Sequence, residues 1–98
     1  MGVFRIRNSQ NGKSYVGFSI DLQAMINRQK AELKFGSHRN TELLNEWKSF
    51  GESSFIFEIL DELEHDENSK ANPVEELRIL SEMWICKIEK AGDLVVNL

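Results

Sequence analysis

The chain has 98 residues, 41% of them hydrophobic and 29% charged, with a formal net charge of −4. That is the size of one domain with a thin stability margin, and its composition is globular rather than disordered, collagen-like or disulfide-stapled. No apolar run nears the roughly 18 residues that a membrane helix needs, no charged-then-apolar leader opens the chain, and Ile6 stands where a myristoylation signal requires Ser or Thr. The expectation is therefore a single cytoplasmic domain spanning 1–98 with no membrane partner.

Taken in chain order, Val3-Phe4-Arg5-Ile6-Arg7 alternates apolar and basic residues as a half-buried strand does. Asn8 to Lys13 is turn chemistry centred on Asn11-Gly12, and Ser14-Tyr15-Val16-Gly17 resumes as a second strand, so a β-hairpin opens the chain. Ser19 or Asp21 can cap a helix whose face is Leu22, Met25, Ile26, Gln29 and Leu33, with Arg28, Lys30 and Lys34 off that stripe. Asn40 can cap a second helix through Leu43, Leu44, Trp47 and Phe50, closed by Gly51. Phe55 to Leu60 is rich in aromatic and β-branched residues, hence a third strand. The acidic stretch from Asp61 to Ala71, which includes His65, reads as a solvated loop.

Asn72-Pro73-Val74-Glu75 starts a long third helix. Val74, Leu77, Ser81, Trp84, Ile85 and Ile88 line one of its faces, and Leu94-Val95-Val96 follows as a short extended tail. Cys86, the single cysteine, has no partner for an internal disulfide; its place in the helical apolar pattern predicts a packing thiol. The fold class expected is mixed α/β (α+β): a three-stranded antiparallel sheet flanked by three helices in the order ββααβα.

At this point the residues resemble a known family. Gly2-Val3-Phe4, followed about ten residues on by Tyr15-Val16-Gly17, is similar to the paired motif that names the GIY-YIG nucleases. The likeness continues through Asn11-Gly12-Lys13, Ser19, His38-x-Asn40-x-x-Leu43, Trp47, Gly51, Phe55-x-Phe57-x-Ile59-Leu60 and Trp84-Ile85, over nearly the whole chain. The resemblance implies a three-stranded antiparallel sheet between helices and metal-assisted phosphodiester hydrolysis. In that chemistry a glutamate holds a divalent ion, tyrosines and a histidine handle water and its proton, and an arginine stabilises the phosphate. The parts follow from physics, since charge building on a shielded phosphorus must be neutralised and Mg²⁺ prefers hard oxygen ligands.

Carried over by position, the resemblance implies three substitutions and three retained residues. Phe4, without a hydroxyl, stands at the family tyrosine; Met25, without charge, at the arginine; Ser81, without a carboxylate, at the metal-binding glutamate. Tyr15, His38 and Asn97 fall on retained positions. Arg28, one turn beyond Met25, and Glu82, next to Ser81, are the residues that would have to rescue the missing groups. Five of the six also have a plain structural reading. Met25 and Ser81 fit apolar helix faces as core residues; Tyr15 suits a half-buried aromatic with its hydroxyl on water; His38 suits a cap or surface; Asn97 can satisfy backbone at the chain end.

Three functions compete at this level. The leading expectation is a nuclease-like domain that has lost catalysis, takes no cofactor and still binds nucleic acid. Residues 1–50 carry eight Lys+Arg against four Asp+Glu, while residues 51–98 carry four against twelve. The basic half would have to bring Arg5, Arg7, Lys13, Arg28, Lys30, Lys34 and Arg39 onto one face. The second is a protein-interaction or structural module on the same fold, with the acidic segment Asp61 to Glu67 as its contact. The third is an active endonuclease dependent on Mg²⁺.

Overall fold

The computed structural model describes residues 1–64 and 72–98. Most of the acidic segment, His65 included, lies outside the described residues. Strands β1 (Gly2–Asn8) and β2 (Ser14–Ser19) form the expected hairpin, closed by backbone bonds from Asn8 N to Lys13 O (2.9 Å) and from Gly12 N to Asn8 O (2.8 Å). Helix α1 (Leu22–Phe35) starts where the Asp21 side chain accepts from Ala24 N. Helix α2 (Thr41–Phe50) starts where Asn40 accepts from Leu43 N, and Gly51 closes it. A short 3-10 turn leads into β3 (Phe55–Glu62). Helix α3 (Pro73–Lys90) is capped by the Asn72 side chain on Val74 N, and β4 (Val95–Asn97) follows.

The class is the mixed α/β expected, with one strand more. The sheet order is β3-β1-β2-β4, and the segment read as an extended tail is β4, which pairs parallel to β2 through Ser14–Val95, Tyr15–Val96 and Val16–Asn97. Strand β3 also runs past Leu60 to Glu62, further than the sequence pattern indicated.

Strand alternation sends side chains to two cores. On one face Phe4, Ile6 and Tyr15 pack with Leu22, Ile26 and Leu33 of α1, Leu43 and Trp47 of α2, and Phe55. On the other, Val3 and Val16 pack with Ile88, and Leu80, Trp84 and Ile85 of α3 close over them. A bulge ties β3 to both: Ile59 pairs with Phe4 but Asp61 with Val3, leaving Leu60 as the extra residue. Asp61 consequently turns toward α3, where its carboxylate accepts from Trp84 Nε1 at 3.2 Å.

The two motif glycines are required by close approach rather than by a turn. A Cβ on Gly2 would lie 2.1 Å from the Asp61 carbonyl oxygen of the bulge, and one on Gly17 would lie 2.7 Å from Cζ of Phe4. Cys86 departs from expectation: it is exposed, because α3 carries two apolar stripes and Cys86 belongs to the outward one. No described helix is long and apolar enough to cross a membrane.

Candidate functional site

Four of the six positions singled out from the sequence line one groove of about 420 Å³: Phe4, Met25, His38 and Asn97. Strand β1 delivers Phe4, α1 delivers Met25, the turn before α2 delivers His38, and β4 delivers Asn97. Phe4 is 2% exposed and its ring lies close against Gly17, giving the groove an apolar wall. Met25 is half-buried against the core beside it.

His38 is buried and fully engaged. Its Nδ1 accepts from the Asn40 backbone N–H at 3.0 Å. The proton therefore sits on Nε2, which donates to Gln29 Oε1. The Gln29 amide nitrogen in turn donates to Met25 Sδ at 3.4 Å. The ring is thus a neutral strut between the α2 entry and α1, with no lone pair left to take a proton from water. Burial lowers its pKa below the ordinary value, against the opposing pull of the Glu32 carboxylate.

A histidine with a depressed folded pKa is protonated first in the unfolded chain, so its contribution to stability is intact above the ordinary pKa and is lost as pH falls below it. Imidazole ¹⁵N spectra are expected to show the Nε2–H tautomer with a midpoint below about 6.5, the unperturbed value. Lowering the pH from 7 to 5 is expected to destabilise the native chain more than His38→Gln. A midpoint above the unperturbed value contradicts the strut.

Tyr15 and Ser81 do not reach the groove. Tyr15 is completely buried, and its hydroxyl donates to Glu46 on α2; the structural reading of a half-buried ring with its hydroxyl on water is corrected to a buried ring with its hydroxyl on a carboxylate. Glu46 also accepts from Asn8 Nδ2 (3.1 Å) and Asn11 Nδ2 (2.6 Å). The same carboxylate therefore ties down the hairpin turn. Ser81 is buried under α3, on the other face of the sheet, and its hydroxyl donates to the Arg78 carbonyl at 2.8 Å. Glu82 offers no replacement: it is exposed and pairs with Arg78.

Sequence reasoning missed the carboxylate that does line the groove, Glu32. It follows Met25 by seven residues on α1, a spacing visible in the sequence but masked by its charge, which reads as solvated surface. Arg28 Nε donates to it at 2.9 Å. Arg28 thus comes to the groove beside Met25, as the rescue reading required, but arrives already paired.

The oxygen donors present do not fit a divalent ion. Glu32 is tied to Arg28, Gln29 Oε1 is taken by His38, and Asn40 Oδ1 by Leu43 N at 3.0 Å, which leaves the neutral amide of Asn97 as the side-chain oxygen of the lining without a partner among the described residues. No three His, Cys, Asp or Glu residues cluster among the described residues. A hard cation needs several free oxygens at once, and here one carboxylate is shared with a guanidinium.

The seven candidate cations do not share a face. Arg5 and Arg7 alternate with Phe4 and Ile6 and so project on the α3 side of the sheet; Arg5 pairs with Glu58 at 2.6 Å. Lys13 pairs with Glu42 and lies 4.0 Å from Glu46. Lys34 pairs with Glu52 at 3.5 Å, and Lys30 Nζ sits 5.0 Å from the Phe57 ring centroid. Only Arg28 and Arg39 line the groove. Arg39 is exposed and has no carboxylate within ion-pair distance among the described residues.

No protein-family model matches the chain, and no curated protein sequence matches it. Among solved structures, the catalytic domain of homing endonuclease I-TevI superposes with a TM-score of 0.76 and 23% identical residues, over 99% of this chain and 96% of that one. A mutant of the same catalytic domain of intron endonuclease I-TevI gives a TM-score of 0.74 at 22% identity, over 95% and 88%. Likeness at that identity concerns the backbone path, and the path is the one that the two glycine motifs implied: the chain has the GIY-YIG nuclease fold.

Proposed function

We propose that this domain binds nucleic acid through the groove without cutting it. What carries the reading is the state of the three substituted positions. The Phe4 ring is packed on Gly17, the Met25 sulfur accepts from Gln29, and the Ser81 hydroxyl is bonded within its own helix. Each side chain is built into the fold, and none supplies charge where phosphodiester cleavage develops it. Binding needs less. Arg39, a guanidinium with no acidic partner among the described residues, lines the groove together with Arg28, and a guanidinium matches phosphate bidentately. The net charge of −4 keeps such binding modest and short-ranged.

Titration of labelled duplex and single-stranded DNA at low salt tests the reading. One guanidinium free for phosphate, Arg39, and a second shared with Glu32, Arg28, predict a shallow salt slope of about −1 to −2 on logarithmic axes. Arg39→Glu is expected to weaken binding by about tenfold or more, by removing one contact and adding repulsion. Supercoiled plasmid incubated with the protein and Mg²⁺ or Mn²⁺ is expected to stay intact. The absence of any shift at low salt removes the binding half of the proposal, and metal-dependent nicking that tracks the purified chain removes the other.

A further inference from the structure

We propose that the outward stripe of α3 is a self-association surface, on which a second copy of this chain docks its own α3 antiparallel. At about 100° per residue, α3 divides into three sectors. Leu77, Ser81, Trp84 and Ile88 face the sheet. Glu75, Arg78 and Glu82 form a charged face whose members pair with one another, Arg78 reaching both carboxylates. The third sector faces outward and is mainly apolar: Ile79, Met83 and Cys86 are exposed, the half-buried Leu80 borders them while also packing on the core, and Lys87 lies among them with its Nζ 4.8 Å from the Trp84 ring centroid. Met83 is 63% exposed and Ile79 48%. This stripe borders a second groove, of about 470 Å³, between α3 and Asp61 of β3. Its positions recur at three- and four-residue steps, the spacing of a helix–helix seam.

The charges at the ends of the stripe identify the occupant. Glu76 lies seven residues before Met83, and Lys90 lies seven residues after it. Unlike the charges on the neighbouring face, these two make no ion pair among the described residues. A two-fold axis through Met83 sets Glu76 against Lys90 of the second copy and Lys90 against Glu76 of the second copy. The same axis places Leu80 against Cys86 of the second copy, lays Ile79 against the aliphatic stem of Lys87 of the second copy, and stacks the two Met83 side chains, whose flexible thioethers fit irregular gaps. A parallel arrangement would instead oppose Glu76 to Glu76 and Lys90 to Lys90. The surface is thus complementary to itself in one orientation only, which is what an isologous dimer requires. It lies on the opposite side of the sheet from the Phe4 groove and does not depend on what that groove binds.

Sedimentation of the full chain between about 10 µM and about 1 mM tests this, a range suited to a single helix pair of modest area. A dimer is expected to appear within it. Met83→Glu is expected to weaken the dimer by about tenfold or more, since it buries charge at the axis, with circular dichroism confirming that the exposed substitution leaves the fold intact. Glu76→Lys and Lys90→Glu chains are each expected to dimerise less than the native chain. Mixed together they are expected to form a heterodimer, because each of its two contacts then joins opposite charges. A monomer at every concentration overturns the proposal, as does a dimer that ignores Met83→Glu, or a mixture no tighter than its separate components.

Discussion

Glu46→Ala is expected to destabilise the domain by about 2–6 kcal/mol, as two buried donors lose their acceptor at about 1–3 kcal/mol each. The Glu46 side chain is 13% exposed and accepts from the Tyr15 hydroxyl, Asn8 Nδ2 and Asn11 Nδ2. Tyr15 and Asn8 are both completely buried, so water does not readily replace the carboxylate. For a domain of this size the loss corresponds to a fall in Tm of about 10 °C or more. Glu46→Gln keeps one acceptor oxygen and is expected to cost less.

Tyr15→Phe removes the same bond from the other side. A double-mutant cycle of Tyr15→Phe with Glu46→Ala is therefore expected to be non-additive, the pair costing less than the summed singles. A Glu46→Ala loss below about 0.5 kcal/mol, the size of an ordinary surface substitution, would show that the network contributes nothing. The chemical consequence is that the hydroxyl of the second motif works as a structural donor, holding the hairpin against α2, and is not available to handle a proton in the groove.

Local signals made most of the fold legible. Asn11-Gly12 located the hairpin, Asp21, Asn40 and Asn72 located the helix starts, and the run from Phe55 located β3. Strand β4 was not legible as a strand, because three residues hold no periodicity and their pairing partners, Ser14 to Val16, lie some eighty positions away. Cys86 follows Ile85 in a helix with two apolar stripes, and spacing alone does not say which stripe meets the sheet.

The site was legible where the family motif fixes a residue on an element. Phe4, Met25, His38 and Asn97 do converge. What the sequence concealed were the partners. Nothing local connects Tyr15 to Glu46, 31 residues on, or tells that Gln29 occupies the imidazole of His38. The alternation of Arg5 and Arg7 with Phe4 did put those cations on the opposite face. That α3 covers this face, and so separates them from the groove, is a tertiary fact.

Placing a carboxylate at position 81, where the resemblance expects one, is expected to harm the protein. Ser81 is 1% exposed, and its hydroxyl is already satisfied by the Arg78 carbonyl. Ser81→Glu would place a larger, charged side chain under α3, where no described cation pairs with it: Arg78 is held by Glu75 and Glu82. An unpaired buried carboxylate together with overpacking is expected to cost about 3–5 kcal/mol near neutral pH.

The pH dependence identifies the cause. Burial raises the folded pKa of the new carboxyl above its unfolded value of about 4.3. The charge penalty is therefore absent below that value and grows as pH rises toward the folded pKa. The deficit relative to the native chain should shrink at pH 4, leaving the overpacking component. Ser81→Ala, which loses one hydroxyl bonded within the helix, should stay within about 1 kcal/mol. If Ser81→Glu folds as stably as the native chain at pH 7 and gains Mg²⁺-dependent nicking, the carboxylate has found the groove, and the separation of position 81 from Phe4 and His38 by the sheet is wrong. If it is destabilised and Mg²⁺ does not recover the loss, the position is part of the core, and a metal anchor there would require the helix to move as well as the residue to change.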